Sequence, residues 1–96
     1  MRLEGKTAVI VGAGQAPTSG DLIGNGRATA LTFAREGAKV LCVDRHAESA
    51  SETVAMIEAK GGTAIAANAD VTNEDALQQA IETCRSAWGS VDILHN

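Results

Sequence analysis

Short apolar segments alternate with helix-like segments along the whole chain, and this alternation restricts the possible folds more than any other feature. The segments TAVIV (Thr7–Val11) and KVLCVD (Lys39–Asp44) are apolar, rich in β-branched residues and without polar alternation. Such runs are typical of strands buried on both faces. TAIAANAD (63–70) is a weaker third candidate, and VDILHN (91–96) is a fourth.

Three segments between these strands have helical spacing. The first is predicted from Arg27 to Glu36, with Gly37 as its terminator, and the second covers ESASETVAMIEAK, which Gly61 ends. The third is TNEDALQQAIETCRSAW, where Thr72 is the predicted N-cap because acidic residues fill the turn that follows. Their apolar stripes are Ala30, Leu31 and Ala34, then Ala50, Val54 and Ile57, then Leu77, Ile81, Cys84 and Trp88.

The resulting order is β-α-β-α-β-α-β. Apolar strands that alternate with amphipathic helices predict an α/β fold with a parallel sheet covered on both faces. Right-handed crossovers give the strand order 3-2-1-4, the first half of a doubly wound sheet. The fourth strand is then left at an open apolar edge, which favours association, so we expect residues 1–96 to be an incomplete domain whose native chain continues.

Composition excludes several classes of function. A net charge of -4 without any basic run argues against nucleic-acid and anionic-membrane partners. No apolar run approaches the length of a membrane span, and the start of the chain lacks a signal-peptide layout, so we expect a cytoplasmic protein. Cys42 and Cys84 lie among apolar neighbours and are predicted to be buried, reduced thiols. His46 and His95 lack acidic companions, so no metal site is predicted.

The connection VGAGQAPTSGDLIGNGRA (11–28) is rich in glycine and unusually long for a strand-to-helix loop. Gly12 ends the first strand, and Gly24 and Gly26 open the following helix. These are the places where a phosphate-binding turn needs glycine, because backbone amides must approach the ligand closely. The usual spacing puts the later glycines at 16 and 18, so an insertion of eight residues is implied. A register beginning at Gly20 also matches the spacing, and a plain surface loop is the alternative.

A carboxylate at the end of the second strand strengthens the nucleotide interpretation. Asp44 lies 18 residues after Gly26, close to the spacing of the acid that binds the adenosine ribose hydroxyls in dinucleotide sites. That carboxylate repels a 2′-phosphate by about 4 kcal/mol at ~4 Å and a dielectric constant of ~20. Arg45 is able to pair with such a phosphate. NAD is therefore the favoured cofactor, with NADP left open.

Several motifs taken together resemble the amino-terminal part of the short-chain dehydrogenase/reductase family: GKTAVIVGAG, IGNGRATALTFAREGAKVLCVDR, ADVT and VDILHN. The resemblance implies a Rossmann-type, NAD(P)-binding domain over residues 1–96. It places Gly12, Gly24, Asn25 and Gly26 at the pyrophosphate, and Asp44 and Arg45 at the ribose. It places the Asp70-Val71 pair at the adenine, and Asn96 at the start of an Asn-Asn-Ala-Gly segment beside the cofactor.

The family's chemistry uses a serine and a Tyr-x-x-x-Lys pair, whereas this chain has no tyrosine, so no catalytic residue is predicted within it. The resemblance implies an oxidoreductase that transfers hydride between a nicotinamide and an alcohol or carbonyl group of a small-molecule substrate, and a homo-oligomer at full length. Two alternatives stay open. One is an enoyl-thioester reductase of the same family, and the other is a dinucleotide-binding regulatory module without catalysis.

Overall fold

The structure, a computed structural model, describes residues 2–13, 25–70 and 72–95. Strands and helices alternate as predicted. The strands are β1 (Thr7–Val11), β2 (Lys39–Asp44), β3 (Thr63–Asn68) and β4 (Ile93–His95), and the helices are α1 (Asn25–Arg35), α2 (Ala47–Ala59) and α3 (Glu74–Trp88). The first helix thus begins before Arg27, and the fourth strand is shorter than VDILHN.

The four strands form one parallel sheet in the order β3-β2-β1-β4, which confirms the predicted topology. In register, Val11 lies beside Val43, and Asp44 lies beside Asn68. The carboxyl ends of β1, β2 and β3 therefore meet at one edge of the sheet. Asp92 fixes the opposite end of the β1–β4 pair, since its carboxylate accepts the Thr7 N–H at 2.9 Å and its own N–H donates to the Thr7 carbonyl.

Two apolar layers cover the two faces of the sheet, because alternate residues of a strand point to opposite sides. Ala8 and Ile10 of β1 face α1 and α2, while Val9 and Val11 face α3. All five residues of β1 are buried, which explains why this strand reads as a continuous apolar run. The predicted helical stripes pack as follows: Ala30, Leu31, Ala34, Ala50, Val54 and Ile57 on one layer, and Leu77, Cys84 and Trp88 on the other. Ile81, which was also predicted in the third stripe, is half-buried and belongs to neither layer.

Both cysteines are buried free thiols, as predicted. Cys42 lies in the layer under α1 and α2, and burial raises the pKa of its thiol to about 12. Burial, with the nearby Asp92 charge, also raises the pKa of Cys84. Neither thiol is therefore activated as a nucleophile. None of the helices in the described part of the chain is long and apolar enough to span a bilayer.

The third helix begins one residue later than the sequence predicts. Asn73, rather than Thr72, is its N-cap, and the Asn73 side chain accepts the Ala76 N–H at 3.2 Å. Thr72 instead donates its hydroxyl to the Asp70 carboxylate at 2.7 Å. The prediction of Thr72 as the cap was wrong because two adjacent residues were both able to cap the helix, and the preceding carboxylate binds the first of them.

Candidate dinucleotide site

Gly12 and Gly26 bring the end of β1 and the start of α1 into direct contact. A Cβ atom on Gly26 would lie 1.7 Å from the Gly12 carbonyl oxygen and 2.5 Å from its carbonyl carbon. Only glycine allows the helix to approach the strand this closely. The amino-terminal end of α1, where unpaired backbone N–H groups favour negative charge, is thereby held against the turn after β1.

Gly12 is required by its own backbone conformation as well. Its φ of +73° lies in the left-handed region, which glycine adopts without strain. Its N–H donates to the Val43 carbonyl at 2.7 Å, and the Ala13 N–H donates to the same oxygen at 3.0 Å. These two hydrogen bonds attach the turn directly to the end of β2. Among the described residues, no atom lies within 4 Å of the position that an added Cβ would take at Gly12.

Asp44 ends β2 next to this turn, as predicted, and its side chain is half-buried. Its Oδ1 accepts the His46 N–H at 2.8 Å, two residues along the chain. Its carbonyl oxygen accepts the Ala69 N–H at 3.1 Å, which joins the end of β2 to the segment after β3. Arg45 follows directly and is exposed. An anionic carboxylate thus lies at the same edge of the sheet as the glycine turn.

Asp70 lies beyond the end of β3 at the same edge and is exposed. Its Oδ1 accepts both the Thr72 hydroxyl, at 2.7 Å, and the Thr72 N–H, at 2.9 Å. These hydrogen bonds, with a smaller contribution from the Arg45 charge, lower the pKa of the Asp70 carboxyl group. Asp70 is consequently an ordered anion at neutral pH.

Some predicted site residues lie outside the described residues: Gly24, Val71 and Asn96. Asn25 begins α1, but only its backbone is described. The structure brings the remaining predicted residues to the carboxyl edge of three adjacent strands, with Gly12 and Gly26 after β1, Asp44 and Arg45 after β2, and Asp70 after β3.

His95 contacts an aromatic ring and belongs to no metal-binding cluster of the described residues. The His95 ring packs edge-to-face on Phe33, with the ring centroids 6.3 Å apart. Among the described residues, no group of three or more histidine, cysteine, aspartate or glutamate side chains is placed to hold a metal ion.

Two polar residues near the turn were not predicted as site residues. Arg27 and Thr53 are both buried, and Thr53 is completely inaccessible to solvent. The Thr53 hydroxyl lies 2.8 Å from the Ala13 carbonyl oxygen, which directly follows the Gly12 turn. The signal in the sequence is weak: a threonine interrupts the apolar stripe of α2, and its partner lies 40 residues away along the chain.

These features fit a dinucleotide better than an isolated phosphate. The turn and the start of α1 bring backbone N–H groups and the positive end of a helix dipole together, which suits a pyrophosphate. Asp44 and Asp70 add acceptors that suit hydroxyl and amino groups but repel further phosphate.

Comparison with protein families agrees with this geometry. The family model described as short chain dehydrogenase matches residues 6–96. The chain belongs to the short-chain dehydrogenase family.

Two curated relatives with similar sequences are named as oxidoreductases. The chain is 40% identical over 96 residues to 7alpha-hydroxysteroid dehydrogenase of Escherichia coli (strain K12), covering 100% of this chain and 34% of that protein. It is 40% identical over 95 residues to the uncharacterized oxidoreductase YxbG of Bacillus subtilis (strain 168), covering 99% of this chain and 32% of that protein. The chain therefore spans about a third of the length of the curated relatives it matches.

A solved structure shows the same fold. The chain is similar to a 7 alpha-hydroxysteroid dehydrogenase complexed with NADH and 7-oxo glycochenodeoxycholic acid, with a TM-score of 0.86 and 40% sequence identity. The match covers 97% of this chain and 33% of that one. The Rossmann-type arrangement of four strands in the order 3-2-1-4 is thus shared with this family.

Proposed function

We propose that this chain is the cofactor-binding part of an NAD-dependent oxidoreductase that acts on an alcohol or carbonyl group. The main observation behind this proposal is the close contact between Gly26 and Gly12, which places the amino-terminal end of α1 against the turn after β1. Asp44 lies beside this turn, at the end of β2. Family membership and a similar structure complexed with NADH support it.

Each predicted residue then has a binding role. Gly12 and Gly26, with Gly24 and Asn25, would hold the pyrophosphate at the start of α1. Asp44 would accept hydrogen bonds from the adenosine ribose hydroxyls. Asp70 and Val71 would meet the adenine, and Asn96 would lie beside the cofactor. When bound, the nicotinamide would donate or accept the hydride.

Charge at this edge favours NAD over NADP. Two carboxylates, Asp44 and Asp70, lie at this edge together with one cation, Arg45. The Arg45 charge contributes to lowering the pKa of Asp70. The net charge of the three groups stays negative, so a 2′-phosphate beside Asp44 meets repulsion of order 4 kcal/mol at ~4 Å before screening. Free ribose hydroxyls meet hydrogen-bond acceptors instead.

The catalytic groups are proposed to lie in residues other than 1–96, because the family's chemistry needs a tyrosine and this sequence has none. The substrate class follows the names of relatives. One is a 7alpha-hydroxysteroid dehydrogenase and another is a sorbitol dehydrogenase, so both are named for small hydroxyl-bearing compounds. A small alcohol or carbonyl compound is accordingly the proposed substrate.

Asp44→Ala in the full-length protein tests the cofactor assignment. The wild-type protein should bind NADH more tightly than NADPH. Removal of the carboxylate should weaken NADH binding about tenfold and reduce the preference, because the ribose loses its acceptors and the 2′-phosphate loses a repelling charge. Calorimetric titration with both nucleotides measures both effects.

Asp44→Asn is the matched control, since an amide oxygen can keep the bond to the His46 N–H while the charge is lost. It should improve NADPH binding relative to NADH without loosening the start of α2. Unchanged selectivity in both variants would contradict the ribose assignment. A wild-type protein that binds neither nucleotide would contradict the proposed function as a whole.

A further inference from the structure

Arg27 follows Gly26 in the first turn of α1, yet its side chain is directed into the protein. It is only 5% exposed, and a guanidinium at that depth requires hydrogen-bond partners. Its Nε donates to the Thr53 hydroxyl at 2.9 Å, and its Nη2 donates to the Ser49 carbonyl at 3.1 Å. The Glu52 carboxylate lies 3.9 Å away and is largely exposed, so it compensates the charge only weakly.

The Thr53 hydroxyl connects Arg27 to the glycine turn through hydrogen bonds. Its oxygen lies 2.8 Å from the Ala13 carbonyl oxygen and 3.2 Å from that of Ser49. A hydroxyl has one proton to donate, and its oxygen already accepts from Arg27. The proton therefore goes to a carbonyl, and Ala13 offers the shorter contact. Arg27, Thr53 and Ala13 form a buried chain of hydrogen bonds from α1 through α2 to the turn.

Ala13 is thereby held from two sides. Its N–H donates to the Val43 carbonyl of β2 at 3.0 Å, and its carbonyl accepts from Thr53 of α2. Its side chain is fully buried in the layer under α1 and α2. The bonds at its N–H and at its carbonyl together fix the orientation of the Ala13 backbone.

We propose that Arg27 and Thr53 are positioning residues of the dinucleotide site, which hold the Ala13 carbonyl and so set the orientation of the turn that meets the pyrophosphate. The inference rests on the function proposed above and extends it to two residues that do not touch the ligand. Arg27 is buried towards α2 and so is not itself a phosphate ligand. A turn already held in its binding orientation avoids the ordering cost that a loose turn meets on binding.

Thr53→Val in the full-length protein removes the hydroxyl at nearly constant volume. It should weaken the binding of ADP, which carries a diphosphate, about tenfold. Binding of adenosine, which lacks phosphate, should not change, because Asp44 and Asp70 do not depend on this chain of hydrogen bonds. Thr53→Ser keeps the hydroxyl and should restore the affinity for ADP.

Thr83→Val is the matched control on another helix. The Thr83 hydroxyl donates to the Gln79 carbonyl, four residues earlier, at 3.0 Å. Thr53 has the equivalent contact with Ser49, but Thr83 lies on the exposed side of α3. This variant should bind ADP and adenosine as the wild type does. Arg27→Lys is a second test that does not depend on the folding of Thr53→Val. One ammonium cannot copy the guanidinium's two bonds, so a smaller, ADP-specific loss of roughly threefold is expected.

The outcomes separate this inference from the proposed function. Wild-type ADP affinity in Thr53→Val and Arg27→Lys would overturn the positioning role while leaving the dinucleotide site intact. Equal losses for ADP and adenosine would also overturn it, since they indicate a general structural effect. A wild-type protein that binds neither NADH nor ADP would overturn the proposed function itself.

Discussion

At the scale of single residues, Gly12 and Gly26 are both needed, but for different physical reasons. Gly12 has a left-handed backbone and no described atom within 4 Å of an added Cβ, whereas Gly26 has no room for even one more carbon atom. The first requirement concerns the chain's own conformation, and the second concerns the approach of a helix to a strand. Spacing in the sequence indicates where such glycines lie but does not distinguish the two reasons.

Gly12→Ala and Gly61→Ala form a matched pair that separates backbone strain from ligand binding. Both glycines are left-handed, with φ of +73° and +83°, and neither would place an added Cβ within 4 Å of an atom of the described residues. Each substitution should therefore lower the free energy of unfolding by a similar amount, about 1–2 kcal/mol. Denaturant unfolding of the two full-length variants measures this cost.

Only Gly12→Ala should also lose affinity for NADH, because its methyl group would enter the space proposed for the pyrophosphate. Gly61 ends α2 at the other edge of the sheet, so its variant should bind NADH normally. Equal NADH affinity in the two variants would show that the ligand does not approach Gly12.

At the scale of elements, the start of α3 shows how a cap is chosen between neighbours. Asn73 accepts the Ala76 N–H, while Thr72 is bound to Asp70. Asn73→Ala should lower the free energy of unfolding by about 1 kcal/mol, because an N–H of the first turn loses its acceptor. Asn73→Asp keeps an acceptor at the same place and should leave the stability close to that of the wild type.

Thermal and denaturant unfolding of the Asn73 variants test this account of the helix start. A loss of stability in Asn73→Asp as large as in Asn73→Ala would contradict it. A larger loss of stability in Thr72→Ala than in Asn73→Ala would also contradict it. That result would identify Thr72 as the N-cap, as the sequence pattern predicts.

The elements themselves could be predicted from the sequence, since their signals are local. Apolar runs predicted the strands, and helical spacing predicted the buried faces around Ala30, Ala50 and Cys84. The first two helices end just before Gly37 and Gly61, as predicted. The bonds of Thr53 could not be predicted in this way. Its position on the buried face of α2 is periodic, but the carbonyl that it binds belongs to the turn after β1 and comes near only through tertiary packing.

At the scale of the whole molecule, strand order assembles the candidate site. Gly12, Asp44 and Asp70 are far apart in sequence, and the order β3-β2-β1 places them after three adjacent strands at one edge. The amino-terminal edge has a different character. The hollow there is lined by Leu31, Ile57, glycines and the two cations Arg35 and Lys60, with no carboxylate among its lining residues. Within the part of the chain that the structure describes, the carboxyl edge is where a glycine turn lies together with carboxylates that can accept ribose hydroxyls.

Hydrogen–deuterium exchange of the full-length protein with and without NADH tests whether a dinucleotide binds at the carboxyl edge of the sheet. Peptides that contain residues 9–13, 43–47 and 68–73 should exchange more slowly in the presence of NADH, because ligand at the carboxyl edge stabilises the turn and the two strand ends. Peptides that contain residues 59–63, at the opposite edge, should not change. Protection confined to residues 59–63, with none at the glycine turn, would contradict the assignment of the dinucleotide site.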